Sequence, residues 1–206
     1  MLLLLICLLF EESDMKKLNV GCGRNAIAGW VNLDCVALPG VDIVADLESC
    51  DTQPLPIESD TVDEFLLQHV LEHIRNPLPL MQELHRIARP GALAVIRTPY
   101  GSTDDAWEDP THVRPYFPGS FGYFGQPLYW RADYGYRGDW QTERIVLMVP
   151  RARAQGRSAD AVMELVHRER NVVAEMHAEL RAVKPIRLPQ RELQQLPRLE
   201  LQLVDL

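Results

Sequence analysis

Leu18-Asn-Val-Gly-Cys-Gly23, followed by Gly29-Trp-Val-Asn-Leu-Asp34, decides how this 206-residue chain is read. A short apolar run leads directly into two glycines one residue apart, and an acidic residue closes the next apolar run. Glycine permits the tight turn and lets backbone approach a ligand that a Cβ would hold off. A carboxylate at the end of the following strand is placed to accept hydrogen bonds from a ribose diol. Together these features read as a nucleoside-cofactor site at the edge of an open α/β sheet.

The flanking sequence supplies the rest of such a sheet. Strands are expected at 17–20, 30–33, 41–45 and 62–68, the last buried on both faces to judge from Phe65, Leu66 and Leu67. Leu80, Met81, Leu84, Ile87 and Ala88 follow helical spacing over 79–88; Arg89-Pro90-Gly91 stops that helix, and a fifth strand follows at 92–97. Residues 99–140 are rich in glycine, proline and aromatics without a period, and so read as a lid or binding segment. A strand is expected at 144–149. A long helix is expected over 158–183, capped by Ser158 and striped by Val162, Leu165, Val172, Met176, Leu180 and Val183, with a final strand at 199–204. The expected architecture is one Rossmann-like, doubly wound domain over 15–206. Its mostly parallel sheet has about seven strands, the last antiparallel, with the 158–183 helix inserted before it.

Composition narrows the function classes. A net charge of −8 argues against a nonspecific nucleic-acid binder, although arginines between Arg131 and Arg157 form a local basic run. Cys7, Cys22, Cys35 and Cys50 contain no C-x-x-C pair, so neither a zinc site nor a disulfide framework is indicated; a reducing cytoplasm fits, with Cys22 and Cys35 as small buried residues. The apolar run Met1 to Phe10 is shorter than the roughly 20 residues a membrane span needs and lacks the basic start and cleavage site of a signal peptide. Met15-Lys16-Lys17 reads as a natural start, with 1–14 as a flexible extension.

Four segments in order resemble the class I S-adenosylmethionine-dependent methyltransferases of the small generic type, over about residues 16–100. They are the glycine segment 18–23; the segment 29–34; Asp46-Leu47 with Leu55-Pro-Ile-Glu-Ser-Asp-Thr-Val-Asp63; and Gln68-His-Val-Leu-Glu-His73 with Leu84-His-Arg-Ile-Ala-Arg-Pro-Gly91. The resemblance implies S-adenosylmethionine as cofactor. Gly21 and Gly23 would admit its methionine end, with Cys22 as the spacer between them. Asp34 would hold the ribose, Asp46 and Leu47 would face the adenine, and His69 would border the sulfonium. Asp46 as a turn cap is the competing assignment.

Asp34 lies 13 residues beyond Gly21, against about 20 in the dinucleotide fingerprint. Only a turn or two of helix fits between them, which disfavours NAD, whose pyrophosphate needs a full helix N-terminus. On the acceptor side, Asp109-Pro-Thr-His-Val-Arg-Pro-Tyr116 resembles a segment found beyond the fifth strand in a subset of methyltransferase-like proteins. His112 is the candidate base or substrate contact, Asp109 its orienting partner and Arg114 an anion holder; alternatively Asp109 and His112 pin the loop to backbone. Glu72 and His73 supply no complete ligand set, so His73 reads as structural and no metal is expected. Trp107, Tyr116, Phe121, Tyr123, Phe124, Tyr129 and Trp130 line an acceptor pocket or form the core beneath the loop. The 158–183 stripe is a candidate homodimer contact. The expected function is methyl transfer to a small-molecule or sugar-type acceptor; the alternative is a protein of the same fold that acts as a binding or scaffold module.

Overall fold

The computed structural model describes residues 15–205, so the extension expected over 1–14 lies outside the described residues. Eight strands form one sheet: β1 (Lys17–Val20), β2 (Val31–Asp34), β3 (Ile43–Val44), β4 (Val62–Gln68), β5 (Ala88–Pro99), β6 (Trp140–Pro150), β7 (Glu175–Ala182) and β8 (Arg198–Val204). Their order is β3-β2-β1-β4-β5-β7-β6-β8. Strands β1 to β5 pair in parallel, β7 runs antiparallel between β5 and β6, and β8 extends the far edge parallel to β6. Strand order reverses between β1 and β4. Their carboxyl ends therefore flank the crevice where open α/β sheets take ligands.

Four helices connect these strands: α1 (Pro77–Ile87), α2 (Asp105–Glu108), α3 (Arg151–Ala154) and α4 (Ala159–Arg168). Proline in the first turn suits the start of α1, and its stripe of Leu80, Met81, Leu84 and Ile87 is buried. That stripe packs with Leu18, Phe65, Leu67, Ala94, Ile96, Leu147 and Leu180 of the sheet. Trp140 locks the contact: its indole N–H donates to the Met81 carbonyl at 2.9 Å, and its ring meets Phe65 edge-on at 5.7 Å.

The other face of the sheet is polar and half-exposed. Lys17 pairs with Glu64 at 2.8 Å, and Arg144 bridges Glu179 and Glu200. Leu66 lies on this side and is only partly buried, so β4 is buried on one face rather than two.

The expected helix over 158–183 is in fact two elements, α4 and β7. Residues 175–182, Glu-Met-His-Ala-Glu-Leu-Arg-Ala, alternate half-exposed and buried at the period of a strand. Met176 and Leu180 happen to be four residues apart, so they also satisfy a helical stripe. The antiparallel strand is accordingly β7, and the segment expected to be antiparallel at the end, β8, is parallel to β6. Val162, Val166, Val172, Met176 and Leu180 are buried within the chain, so the homodimer stripe expected there does not exist as one exposed surface.

Residues 99–140 contain α2 and two short 3-10 runs, Pro118–Phe124 and Gln126–Trp130. Tyr116, Phe121, Phe124 and Tyr129 are core, whereas Trp107, Tyr123 and Trp130 are exposed. Asp139, fully buried and paired with Arg187, anchors the end of the segment. Cys35, expected to be buried, is exposed where the chain leaves β2. Among the described residues no helix is long and apolar enough to cross a membrane.

Candidate functional site

Beyond β1 the chain turns through Gly21 (φ +66°) and Gly23 (φ +53°). Their bareness serves different ends. A Cβ on Gly21 would stand 2.7 Å from Cγ2 of Val70, so this glycine lets the turn after β4 pack beneath the loop; a Cβ on Gly23 would meet nothing within 4 Å. The Gly23 amide donates to Asp34 Oδ2 at 2.7 Å, and the Val36 amide to Asp34 Oδ1 at 3.0 Å. A carboxylate has roughly four acceptor positions, so both Asp34 oxygens retain capacity for a diol. Gly21, Gly23 and Asp34 thus converge at one point of the sheet edge. Cys22 shapes the loop from below. Its amide bonds the Leu33 carbonyl at 2.9 Å, its carbonyl accepts from Asn25 at 2.8 Å, and burial pushes its thiol pKa up.

Two residues overlooked in the sequence hold this loop. Asn19 and Asn32 face each other across β1 and β2, both buried. Asn19 Nδ2 donates to Asn32 Oδ1 and to the Asn25 carbonyl, each at 3.0 Å. Asn32 accepts the Ile27 amide at 2.8 Å and donates to the carbonyls of Ile27 and Trp30 at 3.1 Å. Their signal was an amide side chain inside each of two short apolar strands, where burial demands partners.

Asp46 caps the turn Leu47–Ser49, accepting the Glu48 amide at 2.9 Å and the Ser49 hydroxyl at 3.0 Å. Leu47 is buried beside it, and Glu48 ties the turn to the Arg75 amide at 2.9 Å.

His69, at the end of β4, adopts a left-handed φ of +53°. Such a conformation in a non-glycine residue persists only where its surroundings enforce it. Here the enforcement is double: Nε2 meets Glu175 Oε1 at 3.0 Å and Nδ1 meets Glu72 Oε1 at 3.1 Å. Hydrogen bonds to Glu175 and then Glu72 push the imidazole up to about 10, so it is a cation at neutral pH. Burial would raise Glu175, but bonds from His177 and His69 outweigh it and hold the carboxyl at about 2. Asp34, Asp46, Glu72 and Glu175 thus stand with His69 at the carboxyl ends of β1 to β5.

The 109–116 segment lies along the turn after β4. The Val113 amide donates to the Glu72 carbonyl at 2.8 Å, Arg114 to the Arg75 carbonyl at 3.2 Å and the Tyr116 hydroxyl to the Leu71 carbonyl at 3.3 Å. His112 packs edge-on against His73, ring centroids 4.7 Å apart. Its Nε2 is 3.9 Å from Asp109 Oδ2. Asp109 Oδ1 instead accepts the Thr111 hydroxyl at 2.6 Å and amide at 2.8 Å, bonds that lower its pKa. Arg114 lines a recess with Tyr116, Tyr123, Tyr129 and Tyr134. A separate apolar groove lined by Gly122, Leu128, Trp140, Arg187 and Leu196 includes none of the sequence-predicted cofactor or catalytic residues.

Residues 18–96 match the family described as Methyltransferase domain. The fold is similar to that of a SAM dependent methyltransferase from Archaeoglobus fulgidus, with a TM-score of 0.54 and 15% identity over 82% of this chain and 86% of that one. The chain has the class I methyltransferase fold. It is similar also to the YcgJ protein from Bacillus subtilis (TM-score 0.50, 12% identity, 83% of this chain and 93% of that one). A third similar structure is the (4+2)-cyclase SpnF (TM-score 0.51, 14% identity, 82% and 76%). No curated protein matches the chain.

Proposed function

We propose that this protein binds S-adenosylmethionine and transfers its methyl group to a small-molecule or sugar-type acceptor. The observation that carries this reading is the 2.7 Å contact between Asp34 and the amide of Gly23, a glycine whose absent side chain faces open space. In this reading Asp34 takes the ribose hydroxyls, and the Asp46–Leu47 turn borders the adenine. Gly21 and Gly23 pass the methionine portion, and His69 with its two carboxylates faces the sulfonium. His112 contacts the acceptor, and the recess beside Arg114 receives the acceptor's body. Methyl transfer needs alignment and exclusion of water more than covalent help from the protein, because the cofactor supplies an already activated group.

Calorimetric titration with S-adenosylmethionine, S-adenosylhomocysteine and NAD tests the reading, followed by labelled-methyl transfer to a panel of hydroxylated small molecules and sugars. Binding of both sulfur nucleosides and not NAD is the expected outcome; binding of neither defeats it. Binding with no transfer to any acceptor would favour another use of the same fold, as the similarity to a cyclase illustrates.

A further inference from the structure

Two sequence segments that each looked incomplete meet in space. Glu72 and His73 lie on the turn after β4, and His112 lies about 40 residues further along the chain, on the 109–116 segment docked against that turn. One donor atom from each of the three side chains lies within 4.8 Å of the other two. Glu72 Oε2 and His112 Nδ1 are buried and have no partner in the protein. Glu72 is 2% exposed and the His112 side chain 8%. Native proteins seldom leave buried polar atoms unpartnered, so two in one cluster point to a missing ligand.

The remaining hydrogen bonds are those a metal site requires. The Thr111 hydroxyl donates to Asp109 at 2.6 Å and so accepts from His73 Nδ1 at 3.0 Å. That assignment leaves the lone pair of His73 on Nε2. Metal-binding histidines are characteristically oriented in this way, by a partner on the other ring nitrogen. Glu72 is oriented likewise, its Oε1 held by His69 at 3.1 Å while Oε2 stays free.

We propose that Glu72, His73 and His112 bind a divalent transition-metal ion of the zinc type. Two imidazoles and one carboxylate suit Zn²⁺, Co²⁺ or Fe²⁺, whereas Mg²⁺ and Ca²⁺ take shells of oxygen. Ligand distances of about 2.0–2.2 Å require the three side chains to draw together by rotation. Three protein ligands leave a coordination position open, as catalytic rather than structural sites do. Its use rests on the proposed function: the open position would bind an oxygen of the acceptor next to His69, where the transferable methyl group is placed.

The test uses the full chain, stripped with chelator and dialysed against Co²⁺ without any nucleoside. One Co²⁺ per chain with visible d–d absorption is expected, the affinity falling about 100-fold in H112Q and H73Q and unchanged in H167A, an exposed histidine elsewhere. Thr111 is exposed, so T111A keeps the fold and is expected to weaken binding about 10–100-fold, the usual effect of losing such an orienting partner. Less than one equivalent bound by the wild type overturns the site, as does wild-type affinity in H112Q. If H112Q does not fold, wild-type affinity in T111A overturns it. Nucleoside binding is measured separately without metal, so failure of the metal site and failure of the cofactor reading give different results.

Discussion

The two corners of the sheet edge are finished differently. At the β1–β2 corner Asn19 and Asn32 are bonded to each other and to backbone, and both Asp34 oxygens accept backbone amides. At the corner after β4, Glu72 Oε2 and His112 Nδ1 are buried with no partner. The first is a shape set in advance, into which a nucleoside fits by occupying free acceptor positions and open space. The second is electrostatically incomplete and calls for a ligand to finish it. A satisfied network fixes geometry, and an unsatisfied one stores a requirement.

The sharpest way to break this contrast is through the two glycines. Gly21→Ala combines a left-handed φ of +66° with a Cβ 2.7 Å from the stiff Val70 side chain, so a loss of about 2–4 kcal/mol in stability is expected. Gly23→Ala carries only the backbone penalty, about 1–2 kcal/mol, because its Cβ meets nothing within 4 Å; the substitution should fall instead on nucleoside affinity. Thermal unfolding separates them. Adding Val70→Ala should recover part of the Gly21→Ala loss and none of the Gly23→Ala loss. Equal losses in the two single variants would show that Val70 does not account for Gly21.

A smaller effect tests the charged corner. The Glu175 carboxyl is held at about 2 in the fold, against an ordinary value of 4.5. Between those values the unfolded chain binds more protons than the folded one, so folding loses stability as pH falls through this window. The contribution is fully present above pH 4.5. Acid unfolding curves should be steeper between pH 4.5 and 2 in the wild type than in Glu175→Gln. Parallel curves would remove the ion-pair cluster as a determinant of stability.

Legibility in the sequence followed the same division. β1 and β4 lie at their expected residues, because short apolar runs bounded by glycine or by an Asp-Thr turn have one reading. Asp34 could be placed beside the glycines for the same reason. β7 could not be read, since Met176 and Leu180 satisfy two periods at once and only the sheet chooses between them. The meeting of His112 with Glu72 was equally invisible. It depends on hydrogen bonds from Val113 and Tyr116 to a turn some 40 residues away, and the 99–140 segment has no period that announces them. Asp46 was readable as a cap or as a ligand contact; the Glu48 and Ser49 bonds show the cap.

Titration of S-adenosylhomocysteine into the wild type and Asp34→Ala, with unfolding curves to confirm that both are folded, tests the cofactor site most directly. Removing charge-assisted hydrogen bonds to a ribose diol should weaken binding by about 1–3 kcal/mol, roughly 5- to 150-fold. Tight binding by the wild type with unchanged affinity in the variant would contradict the assignment of Asp34, and with it the cofactor corner.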